Sequence, residues 1–334
     1  MSLELDRESV ALKIQHLLFV IVFFFLVGCS QTTFSSANMK VGLLLEDTID
    51  DQGWNSKGYQ GLLNIHTKMG IDVVFQEEVK TFDEIERSVA RFEKEGVKLL
   101  FGHGRIFADA FTVLAEKYPS IHFVSFNGHS SGENVTNVLF NSYSMGFFAG
   151  FIASLMSESG HIGVIAAYPW QPEIEGFKEG ARIGNASVTT HVQYVYSWTD
   201  EEKALNDFHS LAEKKRVDVF YPTGDGYHIA IIEAAKEKGL FVIGFVSDLS
   251  DLGRSSVLTS TIQHVDRVYE QIARMYVNGE LKSGDIRYDF DDEILALGDF
   301  SPEIPSDVRK QIEEVLDHYM ETGELPSSSI ALQR

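Results

Sequence analysis

Six stretches of the chain gather residues able to hold a small molecule, and each follows an apolar run. The first reads Glu46-Asp47-Thr48-Ile49-Asp50-Asp51-Gln52-Gly53-Trp54-Asn55. The others are Gly102-His103-Gly104-Arg105, Asn127-Gly128-His129, Tyr168-Pro169-Trp170-Gln171, Tyr196-Ser197-Trp198-Thr199-Asp200 and Pro222-Thr223-Gly224-Asp225-Gly226-Tyr227. All three tryptophans lie in these stretches. Indole rings flanked by Asn, Asp and Gly suit a pocket that sandwiches a flat or apolar group and holds its edges by hydrogen bonds. A plainer role, packing beneath its own loop, is open to each tryptophan singly; their shared placement favours a pocket.

Motifs for covalent chemistry are missing. The chain has no G-x-x-x-x-G-K-[ST] phosphate loop, no H-E-x-x-H metal pair and no G-x-S-x-G nucleophile turn. Gly102-x-Gly104 lacks the third glycine of a dinucleotide loop. The eleven histidines are scattered, and His122 and His129 suit packing or solvation better than ligation. Asp47, Asp50 and Asp51 would serve a bound cation or an exposed turn, and Asp289, Asp291, Asp292 and Glu293 read as a charged turn. A binding protein is therefore expected, without catalytic residues, metal or cofactor.

The elements that must position these loops alternate regularly. Apolar runs at 41–45, 73–75, 97–101, 121–126 and 138–140 read as strands. Helical spacing falls between them at 56–69, 83–95 and 107–118. After an apolar helix at 145–156 the pattern repeats, with strands at 161–167, 191–196, 217–221 and 241–245 and helices at 174–183, 201–213 and 227–238. Strands alternating with helices of this length predict right-handed βαβ units, parallel sheets and helices on both faces. The expected fold is α/β, two doubly wound parallel-sheet lobes joined by crossover hinges. Segments 257–263, 265–278, 286–290 and 294–297 are expected to cross between lobes, with a terminal helix at 307–319. The N-terminal lobe is placed at 39–142 plus about 260–285, the C-terminal lobe at 143–259 plus about 286–322, and a tail at 323–334. In open parallel sheets ligands sit beyond the carboxyl ends of the strands, where the six stretches fall.

Ahead of the lobes, Leu17 to Val27 form eleven uncharged apolar residues. A helix crossing a hydrocarbon core of ~30 Å needs roughly 20, so this is the length of a signal-peptide apolar region. Leu26-Val27-Gly28-Cys29 then matches a lipobox, and Cys29 is the chain's single cysteine. The expectation is a leader at 1–28, a diacylated Cys29, a small polar tether at 29–38 and a body on the extracytoplasmic face of the cell membrane. Glu4, Asp6 and Glu8 offset Arg7 and Lys13, an unusual start for a leader. Removing residues 1–28 takes the formal charge from −21 to −20. Such acidity disfavours contact with phosphate backbones, so direct nucleic-acid binding is not expected.

Several motifs recur in a fixed order. Asp51-Gln52-Gly53-Trp54-Asn55 is followed by Gly58 and Gly61, then by Phe107-Ala108-Asp109-Ala110, Ala115-Glu116-Lys117-Tyr118-Pro119, Gly146 to Gly150, His161-Ile162-Gly163-Val164, Gly176-Phe177-Lys178-Glu179-Gly180-Ala181 and Ile243-Gly244. In this order, across about residues 39–300, the chain resembles the basic membrane protein family of lipoproteins. The resemblance implies a type I periplasmic-binding-protein fold and a role as the substrate-binding component of an ABC importer, with a permease as partner and a nucleoside-like or other planar solute as ligand. A subgroup that it also resembles, the positive regulators of competence in bacilli, implies an alternative role in gene expression exerted indirectly from the membrane surface.

Carried over residue by residue, the resemblance assigns Asp51, Trp54 and Asn55 to a first ligand loop whose aromatic residue stacks on a base. Trp198 falls where a second stacking residue is expected, and Gly226 falls in a glycine-rich loop. Gly104 belongs to another of the strand-end loops. Three positions depart from the family's nucleoside binders: Val246 and Asn127 stand for aspartates, and Gln263 stands for a lysine. Losing a carboxylate that bonds ribose costs about 1.5 to 3 kcal/mol for a charge-assisted hydrogen bond.

Overall fold

The computed structural model describes residues 39–326 apart from Gln52. The leader, Cys29 and the tether lie outside the described residues. Among the described residues, no helix is long and apolar enough to cross a membrane.

Two six-stranded sheets form the body, as the alternation of elements predicts. The first has the order 284–288, 135–140, 122–126, 97–103, 40–45, 72–76, parallel throughout. The second has the order 295–297, 257–263, 241–246, 219–223, 161–166, 189–194, parallel except for its antiparallel edge strand 295–297. Central strands such as Lys40–Leu45 and Val219–Thr223 are almost wholly buried. Burial on both faces is why they read as continuous apolar runs rather than alternating ones.

The chain crosses between the sheets three times, and the crossings redraw the expected lobe boundaries. Strand Gly284–Tyr288 pairs with Val135–Phe140 in the N-terminal sheet, although residues from 286 onward were expected in the C-terminal lobe. Strand Val257–Gln263 lies wholly in the C-terminal sheet, although 260–263 were expected in the other. A strand buried in an α/β core carries no local mark of which sheet it joins; its register with a distant partner decides that.

The crossings are tied together. The Asn141 N–H donates to Tyr288 O at 2.9 Å and the His264 N–H to Ile294 O at 2.8 Å. The Asp289 carboxylate accepts from Ser144 Oγ (3.0 Å), Asn141 Nδ2 (2.5 Å) and Tyr319 OH (2.6 Å). Asp292 accepts the backbone N–H groups of Asp289 and Ile294, both at 3.1 Å. The charged turn read at these residues is present, with Asp291, Asp292 and Glu293 exposed, and Asp289 and Asp292 also bond the crossing together. It draws the terminal helix Ser306–Thr322 onto the crossing.

Glycines set the packing of the C-terminal lobe. Helix Ser142–Met156 lies against helix Pro172–Gly184. A Cβ on Gly146 would overlap the Glu173 carbonyl, one on Gly150 the Phe177 carbonyl, one on Gly176 the Tyr143 carbonyl and one on Gly180 the Phe147 carbonyl. Paired glycines at i and i+4 on both helices let the two backbones meet directly. That accounts for the Gly146–Gly150 and Gly176–Gly180 spacings seen in the sequence.

Candidate functional site

A cavity of about 790 Å³ lies between the lobes, lined from both. Its wall on the N-terminal side begins at helix Trp54–Met69. The residue before that helix, Gly53, has no side chain to cap it. Asp51 supplies the cap from two residues earlier: its carboxylate accepts the N–H groups of Gly53 (3.0 Å), Asn55 (2.6 Å) and Ser56 (3.0 Å). Three of the helix's orphan donors are thereby satisfied, and the negative charge sits at the positive end of the helix dipole.

The other lobe completes this helix start. Asp225 Oδ1 accepts the Trp54 N–H at 3.1 Å, and the Gly226 N–H donates to Asp51 O at 3.0 Å. Burial, and secondarily the Asp51 carboxylate beside it, push the Asp225 carboxyl well above the usual carboxylate range. Asp51 and Gly226 thus join the lobes behind the cavity rather than lining it.

The other seven sequence-assigned residues line it: Trp54, Asn55, Gly104, Asn127, Trp198, Val246 and Gln263. Trp54 stacks on His103 with ring centroids 4.2 Å apart and planes 13° from parallel, and meets Phe126 and Phe140 edge-on. Residue His103 is held by Trp54 O at 2.8 Å and Tyr269 OH at 2.9 Å. Its burial pushes the imidazole down to about 3, so the ring that supports Trp54 is neutral at physiological pH.

Across the cavity Trp198 belongs to an aromatic group of the C-terminal lobe. Tyr168 stacks on Trp170 at 5.6 Å, and Trp198 meets both edge-on at 5.3 and 5.8 Å. Arg105, from the N-terminal lobe, lies 5.1 Å over the Trp170 ring and adds a cation–π contact between the lobes.

Asn127 and Val246 follow or end strands of opposite lobes, and both have left-handed backbones, with φ of 55° and 66°. Asparagine tolerates that conformation; a β-branched valine does so only under constraint from its surroundings. Gln263 donates from Nε2 to Met145 Sδ at 3.2 Å, and its Oε1 has no hydrogen-bond partner among the described residues.

Sequence reasoning missed Glu173 and Ser142, which also line the cavity. Residue Glu173 reads as one of two acids in the first turn of a helix, an ordinary complement to the dipole. Its place at the cavity goes with the close contact of its backbone with Gly146 on the facing helix. The acidic loop resolves as well: Asp47 pairs with Lys80 at 2.5 Å and Asp51 caps the helix, so the three aspartates do not converge on one point.

Two α/β lobes joined by three crossings, with a cavity between them at the strand ends, form the type I solute-binding fold. An ABC-transporter solute-binding protein from Aeropyrum pernix superposes with a TM-score of 0.71 at 19% identity, covering 86% of this chain and 82% of that one. Residues 38–329 match the family described as ABC transporter substrate-binding protein PnrA-like, and the chain belongs to that family. A relative 42% identical over 92% of this chain and 96% of its own length is the transcriptional activator protein Med of Bacillus subtilis. A transcriptional activator of the comK gene from Bacillus halodurans, known as a crystal structure, is 48% identical with a TM-score of 0.78, covering 86% of this chain and all of that one. A purine-binding protein of Brucella abortus is 26% identical over 86% of this chain and 82% of its own.

Proposed function

We propose that the protein binds a planar small molecule between its lobes, without covalent chemistry, as the solute-binding component of an importer. The observation that carries this reading is the set of aromatic residues, Trp54 from one lobe and Tyr168, Trp170 and Trp198 from the other, lining one cavity with Asn55, Asn127 and Gln263. Calorimetry of ligand-stripped protein with adenine, guanine, adenosine, guanosine and inosine tests it. Stacking on an aromatic is worth about 1 to 3 kcal/mol per base, so Trp54→Ala weakens the binding by roughly ten- to a hundredfold. Because Val246 and Gln263 replace an acid and a lysine, free bases compete better than their nucleosides. Nanomolar nucleoside affinity overturns the reading of those substitutions, and silence toward every heterocycle overturns the planar ligand.

A second reading is favoured by the two activators, which this chain matches over nearly their whole length. In it the lobes sense the same class of ligand and act on competence gene expression indirectly, from the membrane surface. A charge of −20 after the leader speaks against direct contact with DNA.

Both readings place the body on a lipid anchor at Cys29. Two acyl chains hold a protein far more firmly than one. Globomycin should accumulate the uncut precursor, and Cys29→Ala should leave the leader attached or the protein off the membrane. A native protein recovered from the cytosol with its N-terminus intact sinks the anchor.

A further inference from the structure

Three buried oxygens at the cavity have no hydrogen-bond partner among the described residues: Asn55 Oδ1, Glu173 Oε2 and Gln263 Oε1. All three residues line the same cavity, and none is more than 5% exposed. The two amide oxygens are acceptors and so is the Glu173 oxygen when its carboxyl is ionised, and a buried acceptor left without a donor costs about 1 to 3 kcal/mol. The cavity's own cations are engaged elsewhere, Arg105 over Trp170 and Arg287 with Asp285 at 3.1 Å. No lysine is among the described residues that line it. A ligand seated in the cavity can supply donors to all three.

We propose that the cleft takes a flat ligand bearing an amidine-type edge, one carbon carrying two nitrogens whose N–H groups share a plane, and that Glu173 is the residue that selects it. This rests on the planar-ligand reading and adds the chemistry of the ligand's edge. An amidinium presents parallel N–H donors that match a carboxylate bidentately, and its plane suits a space bounded by indole rings. Glu46 and Asp109 also line the wall, where Asp47 is paired with Lys80 and burial raises the Asp225 carboxyl. Burial pushes the Glu173 carboxyl up to about 7, against hydrogen bonds from its own backbone and from Ser142 that pull it down. Near neutral pH the group is poised between its two forms, and a cation beside it selects the ionised one. The charged or titratable group that interacts with it from the neighbouring strand is the Tyr221 phenol, itself pushed well up by burial and so neutral.

The test compares benzamidine with benzamide on ligand-stripped, full-length protein by calorimetry. The two are flat rings of nearly equal size, one ending in an amidinium and the other in a neutral amide. Benzamidine is expected to bind at least tenfold more tightly, and Glu173→Gln to bring the ratio close to one chiefly by weakening benzamidine. Equal binding of the two by the wild-type protein overturns the proposal, and that comparison needs no variant. A preference that survives Glu173→Gln overturns it too. If purine bases bind through Trp54 while benzamidine shows no advantage, only the amidine edge is lost. If neither probe nor any heterocycle binds, the planar-ligand reading falls with it.

Discussion

At pH 8 the unliganded Glu173→Gln protein melts roughly 5 °C above the wild type, and at pH 4.5 the two nearly coincide. Residue Glu173 is buried, and its carboxyl is pushed from an ordinary 4.5 up to about 7 by desolvation. A carboxyl raised in the folded state binds its proton more tightly there than in the unfolded chain. Stability is therefore highest while the group is protonated in both states, falls as pH rises from about 4.5 to about 7, and stays low above that. Converted at 1.36 kcal/mol per unit, the full loss is about 3 kcal/mol. The neutral amide avoids it but gives up the attraction of a negative charge for the helix N-terminus, worth about 0.3 to 1 kcal/mol. The net gain is about 2 kcal/mol, and in a chain of this size each kcal/mol moves the midpoint by roughly 2 to 4 °C. Thermal melts at the two pH values decide the matter. A variant less stable than wild type at pH 8, or one whose advantage does not depend on pH, contradicts the assignment. A buried acid that costs stability without a ligand is the kind of residue retained for binding rather than folding.

Gly150→Ala is expected to lower the melting midpoint by roughly 6 to 12 °C. In an exposed helix the same change stabilises, because alanine restricts the unfolded chain and glycine does not. Here the sign reverses. The added methyl would overlap the Phe177 carbonyl on the facing helix, and backbone cannot rotate aside as a side chain can. Overpacking of this kind costs about 1 to 3 kcal/mol, and a rigid backbone neighbour puts this site at the upper end. Gly180→Ala, which meets the Phe147 carbonyl from the opposite helix, should match it. Exposed Gly70 is the control: nothing lies near its Cβ position, so an alanine there meets only the cost of a left-handed backbone. A Gly150→Ala protein as stable as wild type would show that the helices have room to separate. A loss in both variants would also loosen the seat of Glu173, whose backbone lies against Gly146 on the same helix pair.

The physics of these two sites marks how far local reading reaches. Continuous apolar runs such as Val41–Leu45 and Ile162–Ala167 are buried on both faces, so hydropathy alone identifies them as central parallel strands. Helix starts are partly legible. Thr81 and Glu84 form a reciprocal capping box, a three-residue spacing that can be read directly, and it places that helix at Phe82, one residue earlier than its apolar period suggests. The loops at strand ends are legible as the walls of the cavity, because chain direction and parallel pairing put them on one side of each sheet.

Other features lie beyond any local pattern. The role of Asp51 follows from the sequence's own short-range geometry, yet a reading for ligand contact placed it in the cavity, whereas its carboxylate is taken up by three backbone donors. Strand Gly284–Tyr288 pairs with Val135–Phe140, almost 150 residues away, and no side-chain period of its own specifies that neighbour. Glu173 shows the limit most plainly, since its helix-first-turn position looks like ordinary dipole chemistry. By itself the sequence determined the two α/β lobes, the strand-end location of the cavity and the aromatic character of its walls, because these depend on burial period and chain direction. Only the tertiary structure decided which acid is buried at the cavity and which caps a helix, because desolvation and orphaned acceptors are properties of what surrounds a group, and its surroundings are assembled from distant parts of the chain.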